Sequence, residues 1–311
     1  MSTPDSMAKS NVVRRRVVEP IELGAVSRLT ASHTKRALGL VQSGRVYDLG
    51  LERFKGMPLP PMHPPMEVIG YRSPRGLRAQ GDQDWINNES NEAKLAFNSE
   101  LVIMCLHTGT HLDSLAHITL GEDAHWHGGF TADKDLGDFG PLKSDTSTMS
   151  PIVTRGVMLD VAKAKGVDAL DAHEAITAGD LELTAKLQGT PIEDGDVVLV
   201  RTGYLASWPD RTQLAKHDGA GIDLSAARWL VERGCVLVGS DTETVEQVPP
   251  AMPGNPHPVH SFLLVEKGIL LLELADLEGL AKDGIHVFAF ICLPVKIRGG
   301  TGALVDPIAI A

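Results

Sequence analysis

The chain has 311 residues, of which 43% are hydrophobic and 22% charged, the balance of a globular protein with a sizeable core. Its formal net charge is −11, and its basic run, Arg14-Arg15-Arg16, lies in a polar N-terminal segment. Because nucleic acids and anionic membranes are bound by clustered Lys and Arg, this composition argues against both as partners. No apolar stretch reaches the ~18 residues of a transmembrane helix, and the N-terminus lacks the apolar segment of a secretory signal. The three cysteines show no pairing pattern, so we expect a cytoplasmic protein.

The first part of the chain is predicted to contain a tail, a helix, a strand and an arm. Residues 1–17 are polar and aperiodic and are expected to form a flexible tail, which leaves 18–311 as one domain. An amphipathic helix is expected between Val26 and Leu40, followed by a strand at VYDLGL (46–51). Six prolines in residues 56–76 oppose regular structure, so this segment is predicted to be a long ordered arm.

From residue 101 onward, short apolar runs alternate with helical segments. The predicted strands are LVIMCL (101–106), VMLDV (157–161), DVVLV (196–200), CVLVG (235–239), ILLLEL (269–274) and HVFAFICL (286–293). Wholly apolar runs of this length are typical of strands that are buried on both faces. One helix is predicted from an N-cap at Thr177 to Gly189, and another from an N-cap at Asp223 to Gly234. We therefore predict an α/β fold, a single domain with a mixed, curved sheet.

The segment LHTGTHLDSLAHITLGEDAHWHGG (106–129) holds five of the twelve histidines. Within it, His107, His111 and Asp113 form the pattern H-x-x-x-H-x-D. The intervening Thr-Gly-Thr disfavours a helix, so we expect His107 at the end of a strand, a turn at Gly109, and His111 and Asp113 on one side. Two imidazoles and a carboxylate suit Zn²⁺ or Mn²⁺. The alternative, capping and turn residues around a tight loop, is less favoured for three ligand-type residues.

His117 follows Asp113 by four residues, where a helix is expected to begin. It can face the same cavity without binding the metal, which is the position of a general base that acts on the attacking water. A hydrogen bond to a ligand, or direct ligation of the metal, is an equally open role.

A second group of candidates lies in PHPVHSFLLVEKGILLLEL (256–274). His260 precedes a predicted amphipathic helix, and Glu273 lies inside an apolar strand, where an unpaired carboxylate is costly to bury. Either these residues return to the first site and add to its metal ligands, or Glu273 forms a salt bridge or lies at an exposed strand end.

The strand-end residues Asp241, Glu243 and Glu246 are weaker candidates, because each can equally be a turn or capping residue. Arg201 follows another strand and is expected either to bind a substrate carboxylate or to anchor a loop. The polar segment 131–150, part of a lid-like insertion at 121–150, is expected to cover the pocket.

HTGTHLDSLAH resembles the H-x-G-T-H-x-D-x-x-x-H signature of the cyclase family, which includes bacterial kynurenine formamidases and isatin hydrolases. The resemblance continues through GDVVLVRTGY (195–204), VGSDTETVE (238–246) and VHSFLLVEKGILLLELADLEGLA (259–281). It implies a swivelling β/β/α fold in dimers or tetramers, with one or two divalent ions, Zn²⁺ or Mn²⁺. The implied metal ligands are His107, His111, Asp113, His260 and Glu273, and the implied base is His117.

The chain departs from the formamidases at Ser114-Leu115-Ala116, where they show a small residue followed by proline. It also carries the N-terminal extension and the 121–150 insertion. These departures leave the predicted metal site intact and place the kynurenine-pathway substrate in doubt.

The expected activity is metal-dependent hydrolysis of an amide, cyclic imide or lactone in a small-molecule substrate. A cyclase or lyase without net hydrolysis, and a metal-binding protein without activity, are the alternatives. Substrate contacts are expected from Trp126 in the lid, from His125 and His127 beside it, and from Arg201. A homodimer or homotetramer is expected because the arm has few ways to bury its apolar side chains within one subunit. These side chains are Met57, Leu59, Met62 and Met66.

Overall fold

A computed structural model describes residues 17–311. All but the last residue of the predicted tail, 1–17, therefore lies outside the described residues. None of the helices in 17–311 has the length and apolarity needed to cross a membrane.

The described chain alternates short strands and helices. The strands are β1 Val46–Asp48, β2 Glu67–Arg72, β3 Ser99–Ile103, β4 His111–Asp113, β5 Leu136–Gly137, β6 Gly140–Pro141, β7 Ile152–Asp160, β8 Ala175–Ile176, β9 Val197–Arg201, β10 Gly221–Ile222, β11 Leu237–Ser240, β12 Leu270–Glu273, β13 Val287–Cys292, β14 Gly302–Leu304 and β15 Ile308–Ile310. The α-helices are α1 Pro20–Leu23, α2 Ala31–Leu38, α3 Pro74–Gln80, α4 Asp84–Asn87, α5 Ala132–Asp135, α6 Val161–Lys165, α7 Ala178–Gln188, α8 Arg211–Leu214, α9 Leu224–Glu232, α10 Pro258–His260 and α11 Glu278–Asp283. Single 3₁₀ turns lie at Gly24–Arg28, Thr146–Thr148 and Tyr204–Ser207, and a π-helical turn at Ser261–Glu266 follows α10.

Nine strands form one curled, mixed sheet in the order β1-β15-β13-β7-β9-β11-β12-β4-β14. The four central strands β7, β9, β11 and β12 run parallel, and the pairs on either side of them are antiparallel. The carboxyl ends of the central strands consequently share one edge of the sheet, the edge at which α/β proteins commonly bind ligands. The prediction of a single α/β domain with a mixed, curved sheet is confirmed.

The apolar runs explain the central strands, and capping residues explain the helix ends. All residues of β9 and β11 are buried, as expected for strands covered on both faces. The Thr177 hydroxyl accepts a hydrogen bond from Asp180 N, and α7 ends at Gly189, which is left-handed. Asp223 caps α9 through Ala226 N. Helices α7 and α9 pack against each other beside the sheet.

The prediction for LVIMCL as a strand buried on both faces was wrong. Strand β3 pairs only with β2, in a two-stranded hairpin outside the main sheet, and its last four residues are exposed. An apolar run predicts a strand but does not reveal whether a second layer will cover it. The prediction of an arm without regular structure at 56–76 also needs correction, because this segment contains β2 and the start of α3. Pro74 occupies the first turn of α3, where proline is tolerated.

Candidate metal centre

Strand β4, His111-Leu112-Asp113, lies between β12 and β14 and pairs antiparallel with both. Its register places His111 opposite Glu273, the last residue of β12. Because side chains alternate along a strand, His111 and Asp113 project from one face, with Glu273 beside them. Leu112 projects from the other face and is fully buried in the core. Strand pairing thus brings an imidazole and two carboxylates together.

The turn before β4 is held by Arg53. Gly109 has a φ of +63°, a left-handed conformation that glycine adopts without steric penalty. The Arg53 guanidinium donates hydrogen bonds to the carbonyl oxygens of Thr108 (3.1 Å) and Thr110, on either side of this glycine. The turn predicted at Gly109 is present, and Arg53, which the sequence analysis did not identify, fixes its shape.

His107 reaches the site from this turn rather than from a strand end, since β3 ends at Ile103. Its Nδ1 lies 2.8 Å from Oδ1 of Asp113, and its Nε2 lies 3.2 Å from the hydroxyl of Thr301. The approach depends on Gly302 of β14, because a Cβ there would lie only 2.9 Å from Cδ2 of the imidazole.

Asp113 lies at the centre of the cluster. Its Oδ1 is 3.5 Å from Nε2 of His111, and its Oδ2 is 3.6 Å from Nε2 of His260 and 4.0 Å from Nε2 of His117. The two oxygens of Glu273 lie 3.3 Å from Nε2 of His111 and 3.3 Å from Nε2 of His260. The structure therefore brings together the residues predicted as ligands or base, namely His107, His111, Asp113, His117, His260 and Glu273.

The donor atoms of this cluster are better placed to bind a cation than to form hydrogen bonds with one another. His111 Nδ1 donates a hydrogen bond to the carbonyl oxygen of Gly109 (2.8 Å), so Nε2 of the neutral ring carries a lone pair. That nitrogen and both carboxylate oxygens of Asp113 are buried without a hydrogen bond of acceptable geometry. Buried lone pairs that face one another are costly unless a proton or a cation lies between them.

Two overlapping sets of atoms are close enough to hold a metal ion. Ligand atoms of His111, Asp113 and Glu273 lie within 4.8 Å of one another, and so do those of His107, Asp113 and His117. Asp113 belongs to both sets, so it is placed to bridge two ions or to hold one.

The charges within the cluster are strongly coupled. Burial raises the pKa of Asp113, but the surrounding histidines, His117 foremost, outweigh burial and hold that pKa well below its usual range. Burial opposes the positive charge on His111, yet the carboxylates of Asp113 and Glu273 beside its Nε2 raise its pKa to about 10. Because metal ligands must be deprotonated, a cation that binds here has to displace a proton from His111.

His117 differs from the other histidines of the cluster. Its side chain is 28% exposed, whereas those of His111 and His260 are 3% and 6% exposed. Burial, only partly opposed by the Asp113 carboxylate, lowers the pKa of His117 to about 4. The ring is therefore neutral near pH 7, the form that can accept a proton.

Glu246 is a buried residue of the site that the sequence left among three weak candidates. Its carboxylate accepts hydrogen bonds from Val259 N (3.0 Å), from His260 N (3.3 Å) and from Nδ1 of His260. His257 Nδ1 lies 3.3 Å away. Burial raises the pKa of Glu246, but these donors outweigh it and lower the pKa to about 2. Although Glu246, His257 and His260 are close enough to hold a cation, their facing atoms are already hydrogen-bonded to one another.

A cavity of about 450 Å³ opens onto the cluster. His107, His117, His260 and Glu273 line one side of it. The other walls come from distant segments, with Pro60–His63 from the arm and Tyr204, Asp218 and Glu243 from strand-end loops among them. His63 and Tyr204 were missed by the sequence analysis, because nothing local in the sequence shows that these segments fold over the histidine turn.

The other two strand-end carboxylates lie apart from the ligands. Asp241 accepts hydrogen bonds at 2.8 Å from the hydroxyl and N–H of Thr202 and from Gly203 N, so it shapes the loop after β9. Glu243 lines the cavity, and burial, together with Asp218 and Glu273, raises its pKa to about 7.

Arg201 does not line this cavity. Its guanidinium forms two hydrogen bonds with Glu278 (2.8 and 2.9 Å) and one with Asp160 (2.9 Å). These carboxylates already occupy the donors that a substrate carboxylate would need, so of the two predicted roles the structure favours the structural anchor.

The lid residues predicted to contact substrate, Trp126, His125 and His127, are not among the residues that line this cavity. Trp126 is 2% exposed and packs near Phe130. The His127 ring donates to the carbonyl oxygen of Val265 (3.0 Å), and His125 pairs with Asp123 at 2.8 Å. All three side chains are therefore engaged within the chain.

The comparisons with known proteins agree with this architecture. The structure of a novel cyclase is 26% identical to the chain, with a TM-score of 0.80 over 93% of this chain and 96% of the other. Isatin hydrolase A from Labrenzia aggregata, bound to benzyl benzoate, is 20% identical, with a TM-score of 0.60 over 90% and 98%. A predicted metal-dependent hydrolase from Bacillus stearothermophilus is 19% identical, with a TM-score of 0.52 over 85% and 97%. At these identities, the last two show the fold alone.

No curated protein matches the sequence significantly. The sequence profile of the family described as "Putative cyclase" matches residues 47–247, which is more than half of the chain. The chain therefore belongs to the cyclase family.

Proposed function

We propose that this protein is a metal-dependent hydrolase that attacks the carbonyl of an amide, cyclic imide or lactone. The observation that carries the proposal is the set of buried, unpartnered atoms of His111 and Asp113, which face Glu273 beside a cavity of about 450 Å³. Membership of the cyclase family and the likeness of the fold to proteins described as metal-dependent hydrolases support it.

The proposed ligands are His107, His111, Asp113, His260 and Glu273. Nitrogen and carboxylate donors without thiolates suit Zn²⁺ or Mn²⁺, and we propose that these five residues hold one ion or two. When bound, such an ion supplies polarisation of a carbonyl group and acidification of water near neutral pH.

His117 is proposed as the general base. It lines the cavity, is the most exposed histidine around Asp113, and is neutral near pH 7. It accepts a proton from the attacking water and returns it to the leaving nitrogen or oxygen. Asp113 lies 4.0 Å from the His117 Nε2 and stabilises the imidazolium that forms.

The walls of the cavity favour an uncharged substrate. Its lining contains Asp218 and Glu243 but, among the described residues, no Lys or Arg. Away from the proposed metal ligands, a substrate carboxylate would meet these acidic groups without a Lys or Arg to compensate it, whereas a neutral amide, imide or lactone would not be repelled by them.

The direct test is a panel of amides, cyclic imides and lactones, assayed with metal-free protein and after addition of Zn²⁺ or Mn²⁺. We expect activity that depends on metal and incorporates oxygen from labelled water into the product. Turnover without that incorporation would indicate a cyclase or lyase. Stoichiometric metal without turnover on any compound would favour a metal-binding protein without activity.

We also propose a homodimer or homotetramer. The sequence-based expectation rested on the apolar side chains of the arm, whereas this proposal rests on the exposed β2–β3 hairpin. Met57 and Met66 are buried within one subunit, so that part of the earlier argument was wrong. Met62 of the arm is 78% exposed, and further exposed apolar side chains lie on the β2–β3 hairpin, at Val68, Ile69, Tyr71, Leu101, Val102 and Ile103. An isolated two-stranded hairpin is marginally stable in water, so covering it by another subunit would stabilise it.

Sedimentation at micromolar concentration tests this second proposal. Val102→Lys should shift the protein toward the monomer, whereas a substitution at Leu187, which is 64% exposed on α7, should not. A wild-type monomer would contradict the proposal.

A further inference from the structure

We infer that Glu246 is a positioning residue that selects the ring tautomer of His260 and thereby prepares that histidine to bind metal. The inference rests on the proposed metal site, but it concerns a carboxylate that lies outside the ligand set. Glu246 is fully buried, and its sequence position gives no indication that it touches a proposed ligand fourteen residues farther along the chain.

The contacts of Glu246 converge on one short segment. Its Oε2 accepts from Val259 N (3.0 Å), and its Oε1 accepts from His260 N (3.3 Å) and from Nδ1 of the same histidine. One carboxylate therefore fixes the backbone at α10 and the imidazole that projects from it. Its position is fixed in turn by Ile222, which forms a β-bridge with Glu246.

The backbone beside Glu246 is strained. Val245, directly before it, is fully buried and has a φ of +56°, in the left-handed region that a β-branched residue rarely adopts. Such a conformation is energetically costly and persists only where the surrounding structure fixes it. It turns the chain so that the Glu246 carboxylate points at His260 rather than into solvent.

The chemical consequence lies in the ring nitrogens of His260. An ionised carboxylate only accepts hydrogen bonds, so Nδ1 must carry a proton in order to donate to Glu246. In the neutral ring, Nε2 then carries a lone pair. Nε2 is the atom that lies 3.6 Å from Asp113 and 3.3 Å from Glu273, so the lone pair points toward the proposed metal position. Carboxylates that orient a ligating histidine in this way typically raise metal affinity by 10–100-fold.

Glu246→Gln gives a specific test because it replaces a carboxylate, which only accepts hydrogen bonds, with an amide, which can also donate them. The amide NH₂ can donate to Nδ1, which favours the tautomer with the proton on Nε2, where the metal must bind. We expect Glu246→Gln to lower the affinity for Zn²⁺ or Mn²⁺ by roughly 10–100-fold, measured by competition with a chelator. Long-range proton–nitrogen NMR spectra, recorded at a pH at which the His260 ring is neutral, should show its proton on Nδ1 in the metal-free wild type and a larger Nε2–H population in the variant.

Asp241→Asn is the matched control. Asp241 is equally buried on the same loop and also accepts hydrogen bonds from backbone N–H groups, but it contacts none of the proposed ligands. It should lose stability in urea while its metal affinity stays within about twofold of wild type.

The outcomes separate the alternatives. Unchanged affinity in Glu246→Gln, or an equal loss in Asp241→Asn, would overturn the inference, since the second result reflects only a loosened loop. Loss of one whole equivalent of metal would also overturn it, because Glu246 would then be a ligand. If the wild type binds neither ion, the proposed function fails, and the NMR tautomer of wild-type His260 still decides the role of Glu246. In the wild type, a neutral His260 ring with its proton on Nε2 would refute it, even if Glu246→Gln does not fold.

Discussion

Two charged clusters lie at the same edge of the sheet, where its parallel strands end. Arg201 ends β9 and pairs with Asp160, which ends β7, and with Glu278, through hydrogen bonds of 2.8–2.9 Å. Glu273 ends β12 and lies with Asp113 among imidazoles whose nitrogens are 2.8–4.0 Å from the carboxylate oxygens. The Asp113 oxygens have no hydrogen bond of acceptable geometry.

The two clusters differ in where the positive charge next to their carboxylates comes from. A guanidinium carries a permanent charge and five N–H donors, so the Arg201 cluster contains its own cation, paired with Asp160 and Glu278. Imidazoles supply a charge only when protonated, so the Asp113 cluster is complete only with a proton or an external cation. We therefore expect the first cluster to act on folding stability and the second on binding and chemistry.

Asp113→Asn should produce the largest effect. It removes the carboxylate common to both ligand sets, so we expect metal binding and activity to fall to background. The free energy of unfolding of the metal-free protein should fall, because the histidines around Asp113 hold its pKa well below the usual range and the ionised carboxylate therefore stabilises the fold. Elemental analysis, the hydrolase assay and urea titration of one preparation measure all three. Stoichiometric metal in the variant would show that the cluster does not need its central carboxylate.

His117→Asn separates chemistry from binding within the same cluster. The five proposed ligands are untouched, so the variant should keep its metal while kcat falls by roughly 10²–10⁴-fold, the usual effect of losing a positioned proton acceptor. His125→Asn is the matched control, since His125 lies in the same segment but outside the cavity. If metal and activity fall in proportion, His117 is a ligand. If both are retained, the base is another residue, with Glu243 the next candidate.

Arg201→Met tests the other half of the comparison. Removing one partner of a buried ion pair leaves uncompensated carboxylates, so the free energy of unfolding should fall by about 3–5 kcal/mol in urea titrations. Metal affinity should be unchanged in the folded variant. Arg28→Met, at the exposed pair with Asp194, should cost less than about 1 kcal/mol. A loss of metal from folded Arg201→Met would show that the two clusters are coupled.

The sequence predicted much of the Asp113 cluster because its core is local. His111 and Asp113 lie two apart in a strand, and the alternation of side chains is enough to put them on one face. The convergence of His260 and Glu273 was left open, because it depends on β12 pairing with β4, a long-range contact that no local pattern encodes.

The failures have the same physical origin. Glu246 and Asp241 lie on one loop after one strand, and only the packing of α10 decides that the first reaches a histidine while the second holds a turn. The sequence left two roles for Arg201, substrate binding and anchoring of a loop. The structure favours the anchor, because Arg201 pairs with Glu278, which lies 77 residues away in the chain. LVIMCL was misjudged because burial depends on whether another layer covers the strand, not on the strand's own composition.

The pH dependence of metal affinity is the smallest expected effect. Burial opposes a positive charge on His111, but the nearby carboxylates of Asp113 and Glu273 raise its pKa to about 10, so in the metal-free protein the ring holds a proton at neutral pH. A metal ion binds only the deprotonated ring, hence affinity should increase with pH, by about tenfold per unit between roughly pH 6 and 8 for each proton displaced. Titration calorimetry with Zn²⁺ or Mn²⁺ in buffers of different ionisation enthalpy counts those protons. Arg201→Met should show the same slope, since its cluster has no proton to release in this range. Equal affinity at both ends of the range would mean that His111 is already neutral, with its Nδ1 proton held by Gly109 and its lone pair free for the metal. In that case the carboxylates of the Asp113 cluster would be neutralised by a metal ion alone and not by a proton.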